Sequence, residues 1–268
     1  MQLYKRISYL SLVSMIGFLP AMSQTTDSLS ERLTETDTTF KKIGAVLQEK
    51  RKPFPVKQLV VPTVMVMYGL GGLKNDGIKK INTRLKDEIY TENPHRKSQL
   101  DNYLIFAPAA TVYGLNALGI KGKNNFRDRS MIYLMSNLIM SGTIFSVKKF
   151  SHEQRPDNSN YFSFPSGHTA ASFAGAEFLR QEYKDVSPWY GVAGYAMATT
   201  TAYLRMYNNK HWFSDVVAGA GIGIASTKLA YWLYPKIQHK LFKDKPLKTI
   251  AMPSFQNGSI GIGLVHKF

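Results

Sequence analysis

The feature that most constrains this chain is a series of apolar segments that contain almost no charged residues. One of them, Tyr103–Ile120, has 18 uncharged residues, which is the threshold length for a membrane span. None of the segments alternates apolar and polar residues as a half-buried strand does, and their lengths suit helices. We therefore predict an all-α fold, a membrane-embedded helical bundle of about five to six core helices with a short C-terminal β-hairpin or strand. The segments are Leu59–Leu73, Tyr103–Ile120, Met131–Val147, Thr169–Phe178, Trp189–Leu204 and Val216–Tyr234.

Composition restricts the function without choosing the environment. The mean hydropathy of −0.20 is low for a membrane protein with several spans, so a soluble all-α protein remains an alternative. The absence of cysteine excludes a disulfide scaffold, a Cys-ligated metal site and a thiol nucleophile. The net charge of +16 would suit nucleic acid, an anionic membrane or a phosphate-bearing substrate. Because the basic residues lie between apolar segments rather than in one basic motif, we expect no nucleic-acid partner.

The amino terminus has the pattern of a secretory signal peptide. Lys5 and Arg6 precede an apolar stretch from Ile7 to Leu19, and small residues follow up to Ser23. We predict cleavage after Ser23, with an uncleaved membrane anchor as the alternative. We divide the remainder of the chain into four parts. They are a polar linker with a short helix (24–57), an apolar segment with an amphipathic helix (58–101), a core (102–235) and a basic tail with a terminal strand (236–268).

Charged residues between the apolar segments predict a membrane topology. The turn after Ile120 holds four basic residues and one acidic residue, and the segment 235–248 holds five and one. By the positive-inside rule both would face the cytoplasm, so that the segments 148–168 and 205–215 would face outward. For the segment 148–168 to face outward, the start of Tyr103–Ile120 must also lie outside. Because a signal peptide would already deliver the chain to that side, we predict that Leu59–Leu73 does not cross the membrane. Lys79–Tyr90 is amphipathic and suits a helix on the membrane surface or an ordinary surface helix.

Polar residues gather at the ends of these segments in a pattern that suits an oxyanion. Lys148, Arg155 and Arg205 are cations, and arginine binds phosphate oxygens in a planar, bidentate way. Ser166 and Gly167 stand where a helix is predicted to begin, and backbone N–H groups at such a position favour an anion. These five residues are our candidate phosphate-binding set.

Two histidines and one aspartate complete the candidate site. His168 and His211 can transfer protons or attack phosphorus near neutral pH. Asp215 follows His211 by one helical turn and could hold its imidazole in one tautomer. We predict that His211, His168 and Asp215 are the catalytic residues.

The order and spacing of these residues resemble the three-part signature of the type 2 phosphatidic acid phosphatases, a superfamily that includes class A acid phosphatases and vanadium haloperoxidases. The resemblance covers roughly Tyr103 to Tyr234. Leu204 stands where the family usually has serine, from which we expect a change in rate rather than a loss of activity. The three parts are Lys148-x6-Arg155-Pro156, Pro165-Ser166-Gly167-His168 and Arg205-x5-His211-x3-Asp215.

The resemblance implies a phosphatase that needs no metal and no cofactor. His211 would form a phosphohistidine, Asp215 would orient it, and His168 would serve as acid and then base. The substrate would be a phosphorylated lipid of the lipid A, phosphatidylglycerol phosphate, phosphatidate or undecaprenyl pyrophosphate type, and the protein would lie in the inner membrane with a periplasm-facing site. The alternatives are a soluble periplasmic acid phosphatase and, more remotely, a vanadium haloperoxidase.

Overall fold

The computed structural model describes residues 56–242, 249–256 and 259–266, with side chains between 56 and 238. The predicted signal peptide and most of the polar linker lie outside these residues. The regular secondary structure of the described part is helical apart from one hairpin, which confirms the predicted all-α class. Its α-helices are α1 (Val60–Lys74), α2 (Asp76–Lys86), α3 (Leu100–Leu104), α4 (Ala107–Ala117), α5 (Phe126–Ser151), α6 (Gly167–Tyr183), α7 (Pro188–Tyr207) and α8 (Phe213–Phe242).

Helices α6 and α8 form the centre of the bundle. Helix α7 and helix α4 pack on α6, α1 packs on α8, and α5 packs on both central helices. Glycine makes the central contact possible: a Cβ atom at Gly219 would lie 2.5 Å from the carbonyl oxygen of Ser166. A Cβ atom at Gly223 would lie 2.9 Å from the backbone nitrogen of Ala174. The close approach therefore places the start of α6 directly against the first turns of α8.

The apolar segment Tyr103–Ile120 is not one helix. It is divided between α3, which ends at Leu104, and α4, which begins at Ala107. Pro108 lies in the first turn of α4, where its missing N–H costs nothing, and it cannot continue a preceding helix. The 11 residues of α4 rise only ~16 Å, so α4 alone is shorter than a bilayer core of ~30 Å.

Within residues 56–242, three helices are long and apolar enough to cross a membrane. They are Val56–Lys74, Phe126–Ser151 and Phe213–Gln238. The first differs from the expectation for Leu59–Leu73, because a 3-10 turn at Val56–Leu59 extends α1 to 19 residues. Length and composition therefore make α1 a candidate span.

A two-stranded antiparallel hairpin follows the helices. Strand β1 (Thr249–Gln256) pairs with β2 (Ser259–His266), and Thr249 is opposite His266. The short C-terminal hairpin expected from the sequence is present, with eight residues in each strand.

Candidate active site

All eight residues of the predicted site lie at one end of the bundle. The ends of α5 and α7 carry Lys148 and Arg205, while the starts of α6 and α8 carry the segments around Ser166 and Asp215. The backbone N–H of Ser166 donates to the backbone carbonyl of Asp215 at 3.0 Å, which joins the two helix starts directly. The predicted convergence of the clusters is therefore present in the structure.

His211 and Asp215 form the buried floor of this site. The Nδ1 atom of His211 lies 3.5 Å from Oδ2 of Asp215, and both side chains are almost fully buried. The same Oδ2 accepts hydrogen bonds from the hydroxyl of Ser163 at 2.5 Å and from the backbone N–H of Trp212 at 2.9 Å. Asp215 also stands in the first turn of α8, where the helix dipole stabilises a negative charge. The carboxylate is thus held in place with Nδ1 of His211 beside it.

The surroundings of His211 favour its neutral form. Burial lowers the pKa of His211 to about 4, and the cations Arg205 and Lys148 act in the same direction, while the nearby Asp215 carboxylate partly offsets them. The imidazole is therefore neutral at pH 7. Because Nδ1 faces Asp215, the nitrogen left to act as a nucleophile is Nε2.

The three predicted cations act on the histidines through their charge: in addition to burial, all three lower the pKa of His168, and Lys148 and Arg205 also lower that of His211. The ammonium of Lys148 donates to the carbonyl of Phe162 at 2.5 Å, which ties the end of α5 to the segment before α6. Burial lowers the pKa of the Arg155 guanidinium, and the positive charge of Arg205 lowers it further. Arginine stays charged under such shifts. The two guanidinium groups therefore repel each other across the site, an arrangement that a bound anion would relieve.

Buried nitrogen atoms in the site lack a partner within the protein. Among the described side chains, the buried Nε atoms of Arg155 and Arg205 make no hydrogen bond. A buried donor without a partner is costly, and such groups in native proteins often face a ligand. These donors, together with the start of α6, form a cradle that suits the oxygens of a phosphoryl group.

Ser166 and Gly167 stand at the N-terminus of α6. Ser166 is the N-cap residue, but its hydroxyl interacts with the hydroxyl of Thr169 at 2.9 Å and makes no capping bond to a backbone N–H. The first N–H groups of this 17-residue helix are therefore not capped by the Ser166 side chain. They suit an oxyanion, as the sequence predicts.

Two residues that the sequence analysis missed contact the site from α3. The buried carboxylate of Asp101 forms an ion pair with Nη1 of Arg205. In the neighbouring Asn102, Oδ1 lies 3.2 Å from Nε2 of His168. Burial lowers the pKa of His168, and Arg205 lowers it further. No sequence signal marks Asp101 except that it is an acidic residue directly before an apolar segment.

A further missed residue joins the amphipathic helix α2 to the site. The side-chain amide of Asn82 donates to the hydroxyl of Ser214 at 2.8 Å, and its oxygen accepts from the Ser214 backbone N–H at 3.1 Å. Asn82 thereby caps the start of α8 from another helix. Within the described side chains, no three His, Asp or Glu residues come together as a metal ion requires.

Comparison with known families agrees with this geometry. Residues 130–239 match the model of a family described as the PAP2 superfamily, and they include all eight residues of the candidate site. The part of the chain that holds the candidate site is thus similar to the PAP2 superfamily. This confirms the resemblance seen in the sequence.

Two curated relatives have names that refer to lipid A. The chain is 33% identical over 164 residues to a lipid A 1-phosphatase of Porphyromonas gingivalis, covering 61% of this chain and 36% of the relative. It is 36% identical over 86 residues to a lipid A 4'-phosphatase of Bacteroides thetaiotaomicron, covering 32% of this chain and 37% of the relative. The chain thus spans little more than a third of the length of these two proteins.

Two solved structures resemble this chain at low identity. LpxE of Aquifex aeolicus matches with 23% identity and a TM-score of 0.43, covering 56% of this chain and 94% of that one. A transmembrane PAP2-type phosphatidylglycerolphosphate phosphatase of Bacillus subtilis matches with 18% identity and a TM-score of 0.41, covering 69% and 99%.

Proposed function

We propose that this protein is a membrane phosphatase that removes phosphate from a phosphorylated lipid through a phosphohistidine on His211. The observation that carries the proposal is that a buried, neutral His211 beside Asp215 lies with the cations Lys148 and Arg205 at one end of a bundle whose described part has three candidate membrane spans. The named functions of the two curated relatives favour the phosphate of a lipid A type glycolipid. The three apolar helices favour a membrane protein over the soluble alternative.

The first chemical step transfers the phosphoryl group to the protein. Nε2 of His211 attacks phosphorus, the bond between phosphorus and the lipid oxygen breaks, and His168 gives its proton to that oxygen. The Asp215 carboxylate, 3.5 Å from Nδ1, stabilises the positive charge that the phosphorylated ring acquires. The cations and the start of α6 stabilise the negative charge on the phosphoryl oxygens.

The second step releases phosphate. A water molecule attacks phosphorus, His168 takes a proton from this water, and the bond between phosphorus and Nε2 of His211 breaks. Inorganic phosphate leaves, and both histidines return to their starting protonation states.

Replacement of His211 tests the proposal. We expect His211→Ala to abolish phosphate release while thermal unfolding in detergent stays close to that of the wild type. The exposed His152 offers a matched control, since His152→Asn suits its left-handed backbone (φ 45°) and leaves activity unchanged. Full activity of His211→Ala would overturn the proposed mechanism. Vanadate, which imitates a transferring phosphoryl group, should inhibit the wild type competitively.

The substrate is tested with a panel of lipids. Phosphate release from lipid A, phosphatidylglycerol phosphate, phosphatidate and undecaprenyl pyrophosphate is compared for the purified protein, with p-nitrophenyl phosphate alongside. We expect the highest kcat/KM with lipid A. Turnover of p-nitrophenyl phosphate alone would instead favour a non-specific acid phosphatase, and preference for another lipid would replace lipid A as the substrate.

A further inference from the structure

The segment before α3 is fixed to the end of α7. The backbone N–H of Ser98 donates to Oδ1 of Asn208 at 2.8 Å, and the Asn208 amide donates back to the Ser98 carbonyl at 2.7 Å. The imidazole of His95 lies on the ring of Tyr207, with centroids 3.5 Å apart, and its Nε2 is 2.7 Å from the Tyr207 carbonyl. This segment therefore cannot move independently of the helix end that carries Arg205.

The short helix α3 that follows places a buried carboxylate against Arg205. Asp101 is 1% exposed and Arg205 is 8% exposed, so water does not solvate the pair well. Removing one member of a buried ion pair leaves the other charge uncompensated. The carboxylate uses Nη1 of Arg205, whereas the buried Nε has no partner in the protein. Asp101 thus fixes the guanidinium plane and leaves one of its donors for another acceptor.

The next residue along the chain acts on the second histidine. Oδ1 of Asn102 lies 3.2 Å from Nε2 of His168. An amide oxygen only accepts hydrogen bonds, so Nε2 carries the hydrogen in this contact. In neutral His168 the lone pair is then on Nδ1, and Nδ1 is the nitrogen that can gain or lose the proton of the reaction.

We propose that Asp101 and Asn102 are positioning residues of this site, Asp101 for the guanidinium of Arg205 and Asn102 for the Nε2–H tautomer of His168. The proton that reaches the leaving oxygen then passes through Nδ1 of His168. This inference rests on the proposed phosphatase function. Its structural basis is that two consecutive residues of one short helix reach two different groups of the site.

The tautomer can be observed without any turnover. The imidazole nitrogens of His168 are recorded by ¹⁵N NMR in the full-length protein in detergent, with His168→Gln used to assign the signal. We expect the Nε2–H form in neutral wild-type protein and a mixture of both tautomers in Asn102→Leu. An Nδ1–H form in the wild type, or an unchanged spectrum in Asn102→Leu, would overturn the role of Asn102. This readout separates the inference from the proposed function, whose failure appears as a lack of phosphate release by the wild type.

Kinetics of Asn102 variants give a second measurement. Asn102→Leu should lower kcat by roughly 10- to 100-fold with KM within about threefold, the size of effect typical for residues that orient a reacting group. Asn102→Asp still accepts from Nε2 but adds a charge that favours the imidazolium, so the alkaline limb of the pH profile should move to higher pH. The exposed Gln99 provides the control, and Gln99→Ala should change neither quantity. An unmoved pH profile in Asn102→Asp would contradict the inference.

Asp101 is tested by graded replacement. Asp101→Asn keeps an acceptor for Arg205, whereas Asp101→Leu keeps none. We expect kcat/KM to fall by about 10-fold in the first and about 100-fold in the second, at equal amounts of folded protein measured by thermal unfolding. Equal losses in both variants, or no loss in either, would show that Asp101 does not position Arg205.

Discussion

The hydroxyl of Ser163 donates a hydrogen bond to Oδ2 of Asp215, and both side chains are buried. The backbone N–H of Ser163 donates to the carbonyl of Glu153 at 3.0 Å, so the serine is itself held within the segment between α5 and α6. The bond therefore connects this segment to the first turn of α8, where the carboxylate faces His211. Because the Asp215 oxygen is shared with the Trp212 N–H, its direction toward the imidazole depends on both donors.

Removal of the Ser163 hydroxyl should slow the reaction. We expect Ser163→Ala to lower kcat by about 10-fold, because a buried acceptor that loses its donor shifts or takes another partner at a cost of ~1–3 kcal/mol. Ser163→Thr keeps the hydroxyl and should retain more activity than the alanine variant. The exposed Ser159 serves as the control, with Ser159→Ala close to wild type. Unchanged kcat in Ser163→Ala would show that the hydrogen bond does not support catalysis.

The pKa directions of the two histidines predict an acidic pH optimum. His211 must be neutral to attack, and its pKa of about 4 means that activity rises as the pH increases through that value. His168 must be protonated to release the leaving group, and its pKa is lowered from the ordinary 6.5 by burial and by Arg205, so activity falls at higher pH. We expect a bell-shaped kcat/KM profile with its maximum between these limits.

The pH profile is measured with a substrate whose own ionisation is determined separately, since a phosphate monoester loses its second proton near pH ~6. The two apparent pKa values belong to the coupled site as a whole. An optimum above pH 7 would contradict the assigned roles of the histidines.

The sequence could predict that the eight candidate residues come together, because each lies within a few residues of a helix end. Some of them meet through local geometry, since His211 lies two residues before α8 and Asp215 lies in its first turn. The positioning contacts could not be predicted in this way. Asp101 and Arg205 are 104 residues apart, and Asn102 and His168 are 66 residues apart, so only the tertiary packing of α3 brings them together.

The helical class could also be predicted, but the division of the apolar segments into spans could not. Tyr103–Ile120 has the composition of a span, yet Pro108 starts a new helix inside it. Conversely, Val56–Leu59 lengthens α1 by a 3-10 turn that hydropathy alone does not mark. The positions of proline and of local turns therefore predict where these helices begin and end better than the length of an apolar segment does.

Membrane topology can be measured cleanly because the chain has no cysteine. Single cysteines at Asn158, Lys121 and Lys57 are labelled with a maleimide that does not cross membranes. Asn158 lies at the site end and should react in intact cells, whereas Lys121 lies in the basic turn before α5 and should react only after permeabilisation.

Lys57 decides whether α1 crosses the membrane. Basic residues at 50–52 and Lys57 itself precede α1, so we expect labelling only after permeabilisation. A cleaved signal peptide together with a non-crossing α1 would instead expose Lys57 outside. Labelling of Lys121 in intact cells would contradict the proposed periplasm-facing site.

Alanine substitution should change thermal stability differently at two glycines, because only one of them lies in the close contact of α6 and α8. A Cβ atom at Gly223 would meet the backbone of Ala170 and Ala174, whereas at Gly142 on α5 nothing lies within 4 Å. Overpacking of this kind costs ~1–3 kcal/mol, and backbone atoms cannot move aside as a flexible side chain can. We therefore expect Gly223→Ala to lower the midpoint of thermal unfolding in detergent by several degrees, about 2–4 °C per kcal/mol for a chain of this size.

Gly142→Ala is the matched control, because alanine is the better helix former and meets no neighbour there. Its unfolding midpoint should equal or exceed that of the wild type. Since α6 begins at the phosphate cradle, displacement of α6 by Gly223→Ala should also raise KM, whereas Gly142→Ala should leave KM unchanged. A Gly223→Ala variant with wild-type stability and KM would show that the two helices do not pack as closely as their glycines indicate.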